Sequence, residues 1–579
     1  MTSPEKLAIV PEDNLPVLDH GPSITEDKQT AVRSEKRSRE DERAVAQQIP
    51  PGDDASLTDH LPRVTDHLPR VTDHLPASVI IALFIGAAER FTYYALTTPW
   101  QNYMQNARNQ ATPGALGLGQ STATNISNAY LFFSFLCPMP FAILSDTWLG
   151  RYKTLLLSLG IYMIGCLVFF LTSIPKSLEA GAGVGGLASG MILIGLGQGG
   201  VKATFSPFLG DQYNQKDAPG VSTTKTGKRV IKDSALTLHY IYNLFYWATN
   251  VASLSSVPST FLEKDFDFWV AYLFAACSLL ISVGLLVIFR SKLVKVSPQG
   301  NRLPTAAKVI LCAMRNGWKM NNAKPSHQLS VYGKVVSWDD EFVDELVMGL
   351  STCRVLLSFA IFYLCINQMY NNLISQAGQM ELHGVPNDMI QALAGIACVL
   401  LGPAIQWMND AIAHRNLFFG PMLRITLAFV FCSGAMAFSA GLQNLIYDAP
   451  PCYNAPRACG FEGPNYINVW IQTPVYFILA AAEIFGFVTA SEYSYRKAPR
   501  DMKSIIQAFV QLTAAFGSAL GMAISPVAKD PYLVIMYSSL AAAMAICGII
   551  FWLCFRSYDK AEKAASHMAR SSGVVENQE

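Results

Sequence analysis

The sequence predicts an all-α membrane protein with twelve transmembrane helices in two halves of six. Three observations carry that prediction. Of 579 residues, 51% are apolar and only 15% are charged, against about 25% charge in a soluble protein. The apolar residues fall into twelve runs of about 20 residues, the length that crosses about 30 Å of hydrocarbon. A long polar connection divides those runs six and six. The net charge of +1 gives no basic surface for a nucleic-acid partner. Twelve cysteines are too few for a disulfide-stapled secreted scaffold.

Before the first run, residues 1–57 carry 19 charged side chains. Such a stretch buries too little apolar surface to offset its ordering entropy, so residues 1–76 read as a disordered tail. It has no apolar core of a secretory signal, which leaves the first span to direct membrane insertion. A heptapeptide, Thr58-Asp59-His60-Leu61-Pro62-Arg63-Val64, repeats at 65–71 and in part at 72–76. Proline every seventh residue excludes a coiled coil. The repeat reads as a duplicated tether, with a docking ligand for a partner as the alternative.

The runs follow at 77–102, 125–145, 154–174, 184–207, 236–256 and 267–289, then at 353–374, 388–408, 419–441, 467–489, 504–525 and 532–555. They make an N-terminal half at 77–289 and a C-terminal half at 353–556, with a tail at 557–579. With the N-terminal tail inside the cell, the external loops hold only Arg108, Lys176, Lys264, Arg457 and Lys529. The opposite side holds Arg151, Lys153, Lys225, Lys228, Arg229, Lys232, Arg290, Lys292, Lys295, Arg496, Lys497, Arg500, Lys503, Arg556, Lys560 and Lys563. Lysine and arginine bias sets topology, so both termini are expected in the cytoplasm.

The connection at 290–352 contains two amphipathic patterns. Ala306, Ile310 and Met314 repeat at i, i+4, as do Trp338, Phe342, Leu346 and Leu350; each set makes one apolar face. A linker whose helices lie against the membrane or the bundle is expected. In the external loop at 442–466, Cys452 and Cys459 either close a small disulfide or stay free thiols, and an oxidising exterior favours the disulfide.

Polar residues inside apolar runs carry the functional signal, because a charge at the bilayer centre costs about 2.5–3.5 kcal/mol on insertion scales. Glu89 and Arg90 interrupt the first span, and Tyr93 and Tyr94 follow one turn on. Lys202 follows the small residues Gly195-Leu196-Gly197-Gln198-Gly199-Gly200, which permit close helix approach. Glu483 lies within the apolar tenth span. Two acids and two bases therefore face the bundle interior, as a binding set or as a structural ion-pair cluster. The glycines lack the strand–turn–helix context of a nucleotide loop. No catalytic triad, metal set or cofactor motif is evident, so neither an enzyme nor a bound metal or cofactor is expected.

These residues resemble a known family. Glu89-Arg90-Phe91-Thr92-Tyr93-Tyr94 is similar to the end of the first-span ExxERFxYY motif of proton-dependent oligopeptide transporters, a branch of the major facilitator superfamily. Ser145-Asp146-Thr147-Trp148-Leu149-Gly150-Arg151-Tyr152 resembles the superfamily's D-x-x-x-G-R motif between spans two and three. The stretch 245–254 (FYWATNVASL) is similar to the fifth-span signature FYxxINxGSL. The stretches 338–346, 367–380 (NQMYNNLISQAGQM) and 492–504 (EYSYRKAPRDMKS) look like the fungal peptide-transporter branch.

The resemblance implies the superfamily fold and a plasma-membrane carrier of di- and tripeptides with protons, through a cavity between two rocking halves. It implies proton-coupling roles for Glu89, Arg90 and Lys202, and a peptide site containing Arg90, Tyr93, Tyr94, Lys202, Asn367 and Glu483. In that site Lys202 lies near the peptide carboxylate and Glu483 receives the amino terminus. Asp146 and Arg151 are implied as gating residues. The partners are then a small peptide or peptide-like solute, protons and the lipid bilayer.

The sequence also departs from the motif. Gly86 stands where the first motif glutamate belongs, Phe141 and Phe135 replace glycine and tyrosine positions, and Thr249 and Ala252 alter the fifth-span signature. Two carboxylates one turn apart store a proton because repulsion holds one of them protonated; Glu89 has lost its partner. A proton-uncoupled facilitator or exporter of another small solute is therefore a second expectation. A non-transporting nutrient receptor is a third.

Overall fold

The computed structural model describes residues 70–575 except 109, 111, 113, 214–220, 224–228, 233, 299–302, 318, 416–418, 457–462 and 498–502. The acidic and basic tail, the repeat up to residue 69, and Lys225, Lys228, Arg457, Cys459 and Arg500 therefore lie outside the described residues. Among the described residues ten helices are long and apolar enough to cross a membrane. An eleventh is added if Asp340–Leu356 and Phe359–Ala377, bent by 45°, form one span. The fifth predicted run is helical as well, as Ser234–Ala252, a tight turn at Ser253–Ser255, and Ser256–Asp265. Its asparagine, serine and threonine content makes it the least apolar of the set. With it, all twelve predicted positions carry helix.

Several elements run past their predicted ends. The first span, Ala77–Thr97, breaks at Pro99 and continues as Trp100–Gln105, since proline denies the helix a hydrogen bond. The last helix runs Leu533–Val575, because alanine, lysine and glutamate after 557 keep helix propensity once hydrophobicity has ended. Two small sheets were not anticipated. Arg70–Val71 pairs parallel with Arg229–Lys232, which pairs antiparallel with Val221–Thr223. The described residues of that sheet, with a Lys232–Asp73 ion pair at 2.8 Å, belong to a compact unit of their own. Met380–Glu381 pairs with Asn465–Asn468 within the helical body.

Each half has its own core. In the first, Trp100 stacks on Phe169 at 5.4 Å, and Tyr103 and Tyr272 pack edge-on against neighbouring rings. In the second, Phe359, Phe362, Phe429 and Phe551 form an aromatic column. The glycines of the fourth span, Ala182–Asp211, admit the third span, Arg151–Ser173, to backbone contact. A Cβ at Gly197 would lie 2.6 Å from the Tyr162 nitrogen, and one at Gly200 would overlap the Ser158 hydroxyl.

The linker helices Leu303–Arg315 and Asp340–Leu356 turn their apolar faces on each other, and both also meet the helix Lys503–Ile524 of the second half. Ala306, Val309 and Ala313 pack with Phe342, Val343 and Leu346, flanked by Trp338 and Leu350. Trp338 Nε1 donates to the Ala323 carbonyl at 2.8 Å, and the Asp339 carboxylate caps the second helix by accepting from the Phe342 N–H at 3.0 Å. Two facing stripes of matching length bury more apolar surface together than either would against headgroups.

The two halves are stitched together by neutral polar side chains. Asn102 and Asn387 exchange amide hydrogen bonds at 2.8 and 2.9 Å. Gln120 donates to Asn372 at 3.1 Å, and Thr124 to the same oxygen at 2.9 Å. The Ser121 hydroxyl donates to the Ser525 carbonyl at 2.7 Å, and the Ser375 hydroxyl donates to Gln105. These bonds form one seam between the halves.

Candidate functional site

A small cavity lies between the halves, below the seam. Spans one and five contribute Tyr94, Thr98, Asn250, Ser253 and Ser256. Spans seven, eight and ten contribute Met369, Tyr370, Gln391, Gly395, Cys398 and Glu483. Gly395 is there for want of space, since a Cβ would lie 2.1 Å from the Ser253 hydroxyl. Glu483 ends the helix Thr473–Glu483, and a π-helical turn, Ile484–Val488, follows it directly. Such turns shift helix register and recur at functional positions.

The lining is rich in acceptors. Thr98 and Ser253 spend their hydroxyl protons on their own helices, on the carbonyls of Tyr94 at 2.8 Å and Asn250 at 2.7 Å. Gln391 Oε1 is buried and meets no donor. Glu483 receives the Cys398 thiol at 3.9 Å, and no lysine or arginine forms a salt bridge with it among the described residues. A carboxylate at membrane depth without a fixed cation is suited to hold a mobile one.

The sequence-predicted residues divide into two groups. Tyr94 and Glu483 line the cavity; Arg90, Tyr93, Lys202 and Asn367 are not among its lining residues. Arg90 is held by Glu89 in a two-pronged ion pair, Nε to Oε2 at 2.6 Å and Nη2 to Oε1 at 3.0 Å. Its guanidinium also lies 5.5 Å from the Tyr93 ring centre. Lys202 donates to the Ser134 hydroxyl at 3.0 Å and sits 4.7 Å over the Phe135 ring. Ser134 and Tyr130 both donate to Gln198 Oε1 at 2.8 Å, so Lys202 joins a polar network inside the first half. Tyr94 joins the two groups, lining the cavity and packing edge-on against Tyr93 with ring centroids 5.2 Å apart. Asn367 is buried and donates to the Ser518 hydroxyl at 3.1 Å, tying spans seven and eleven together.

Arg151 pairs with Asp211 of the fourth span at 2.5 Å, a link within one half. Asp146 lies in the π-helical turn Ser145–Leu149, and Gly150 after it has φ +77°. A small cleft there holds Asp146, Arg151, Val296 and Pro298. Cys452 is disulfide-bonded, while Cys459 lies outside the described residues.

The position of Gly86 explains the missing motif glutamate. A Cβ there would meet Phe205 Cζ at 2.2 Å and Phe245 Cε2 at 2.7 Å, and those two rings pack with centroids 4.9 Å apart. Aromatic surface fills the volume of the absent carboxylate. Sequence reasoning did not assign Asn250, Tyr370, Gln391 or Cys398 to the site. The available signal was polarity within apolar runs, which does not say which helix face a residue occupies.

The profile of the POT family, PTR2, matches residues 152–540. The probable peptide transporter ptr2 of Schizosaccharomyces pombe is 41% identical over 487 residues, covering 83% of this chain and 78% of that protein. Peptide transporter PTR_C of Candidozyma auris is 42% identical over 481 residues, 82% of this chain and 83% of that one. Peptide transporter PTR2 of Saccharomyces cerevisiae is 37% identical over 483 residues, 83% and 79%. Among solved structures, the POT family transporter PepTSo aligns with a TM-score of 0.65 at 19% identity, over 84% of this chain and 99% of that one. At such identity the likeness concerns the fold, which is that of the major facilitator superfamily. With the profile, the fungal relatives and the fold in agreement, the chain is a member of the POT family.

Proposed function

We propose that the chain carries di- and tripeptides or peptide-like solutes across the plasma membrane by alternating access, with protons as the co-substrate. Residues 77–289 and 353–556 are the rocking halves, 290–352 the linker between them, and both termini lie in the cytoplasm, as the loop charges favour. The observation that carries this reading is Glu483, a carboxylate without a fixed cation in an acceptor-rich cavity between the halves. Glu483, Gln391 and Asn250 then receive the peptide's ammonium group, and Tyr94 and Tyr370 flank its side chains. Arg90 and Lys202 supply positive potential for the carboxylate end from the first half; Glu89 keeps Arg90 in place. Relatives named peptide transporters and a POT transporter solved with alafosfalin support the same cargo class. Asp146 and Arg151 act at the cytoplasmic gate, with Asp211 as the partner that anchors Arg151.

Counterflow in proteoliposomes tests the reading. A dipeptide with a free amino terminus should exchange, and its N-acetylated form should neither exchange nor compete. Equal competition by the acetylated form would remove the ammonium–Glu483 contact. A second reading, transport without protons, is favoured by the aromatic filling at Gly86. Uptake indifferent to an imposed pH gradient would decide for it.

A further inference from the structure

The seam contains one feature that neutral stitching does not explain. Glu263, near the end of the fifth span, and Asp388, at the start of the eighth, face each other across the two halves. They are 3% and 0% exposed. Glu263 Oε1 accepts from Asn102 Nδ2 at 3.2 Å, next to the Asn102–Asn387 amide pair. Glu263 Oε2 is buried and meets no donor, the buried Asp388 carboxylate has only the backbone N–H groups of Asp388 and Met389 beside it, and the two carboxyl groups stand against each other. The charged neighbours are accounted for. Asp267 of the sixth span is paired with Arg108 at 3.2 Å, and the Lys264 ammonium is spent on the Gly384 carbonyl. Among the described residues, the remaining elements contribute the tyrosines Tyr272 and Tyr476. No salt bridge reaches either acid among the described residues.

Two bare carboxylates cannot share a buried site of low dielectric. A carboxyl–carboxylate hydrogen bond removes one charge and supplies the missing donor, and it needs one proton. We propose that Glu263 and Asp388 form a proton-binding latch, closing the seam when the pair holds one proton and parting it when both groups ionise. The proton comes from water on the seam side as the halves close and returns there as they open. The charge balance is complete without another ion. The sign follows directly: the latch is intact at low pH, and its contribution is lost as pH rises and the second carboxyl ionises. This goes beyond the peptide reading and needs only that the halves rock, so it can be tested without cargo.

The experiment uses the full chain in lipid nanodiscs. Spin labels are placed at Phe266→Cys and Tyr466→Cys, exposed positions of the two halves on the seam side, in a background whose accessible native cysteines are serine. Electron–electron distances are measured from pH 5.5 to 8.5. The wild type should pass from a short to a long distance as pH rises, its closed-to-open ratio falling by up to about tenfold per pH unit for one proton. Glu263→Gln and Asp388→Asn each place an amide donor where the proton sits, so each should stay closed across the range. Either variant suffices should the other fail to fold. A wild type without pH response, or variants that keep the wild-type response, would overturn the latch. So would closure that follows added sodium or calcium rather than pH. None of these outcomes depends on peptide exchange, so this proposal and the peptide reading fail separately.

Discussion

A side chain at position 86 should be excluded by Phe205. In the wild type a Cβ there would sit 2.2 Å from Phe205 Cζ and 2.6 Å from Cε1, where ordinary contact begins at 3.4 Å. The ring would have to retreat by about 1 Å. Phe245, 4.9 Å away between centroids, lines the same space, and Phe205 is itself 5% exposed. Overpacking of this kind costs about 1–3 kcal/mol, so Gly86→Ala should unfold at a lower temperature than the wild type in detergent. Phe205→Leu removes the outer ring atoms that the Cβ would meet. The double variant should therefore recover stability relative to Gly86→Ala, with an interaction energy of about 0.5–3 kcal/mol. The same logic governs proton coupling. Gly86→Glu alone should fold poorly, whereas with Phe205→Leu it places two carboxylates one turn apart and should make uptake pH-dependent relative to Phe205→Leu alone. Gly86→Ala melting with the wild type, or strictly additive losses in the double variant, would refute the steric account.

Glu483→Gln should weaken binding of peptides with free amino termini by about 1.5–3 kcal/mol, the worth of a charged hydrogen bond, or about 10- to 150-fold, with unchanged surface expression; competition uptake measures it. Arg151→Gln, Asp211→Asn and the double variant should change transport to the same small extent, because all three remove one partly exposed ion pair worth about 0.2–1 kcal/mol; additive losses would give the two residues separate roles. Asn102→Ala strips Asn387 of its reciprocal amide partner and Glu263 of a donor and should cost about 1–3 kcal/mol, biasing the spin-label distances toward the open seam.

The span count, the six-and-six division and the two amphipathic linker helices were legible in the sequence. Each depends on a one-dimensional property, the length or periodicity of apolar residues. The charges worth watching were legible for the same reason, since Glu89, Arg90, Lys202 and Glu483 interrupt runs that otherwise avoid charge. Their partners were not. Arg90 lies beside Glu89 in the chain, but nothing in the sequence says that the two close on each other rather than on a ligand. Asn367 looked like a binding residue and serves as a strut to Ser518, because which face of the seventh span meets the eleventh depends on how both are tilted. Glu263 and Asp388, 125 residues apart in the chain, gave no sign of each other.

By itself the sequence determined what must enter the membrane, how many times, and which side chains are costly there, because transfer from water to hydrocarbon acts on each segment separately. Only the tertiary structure decided which of those costly groups neutralise one another and which stay open to a ligand. Pairing depends on distances of a few ångströms between helices that meet only after folding. Glu89 and Glu483 are both acids within apolar spans, and only the packing around them makes one half of an ion pair and the other the wall of a cavity.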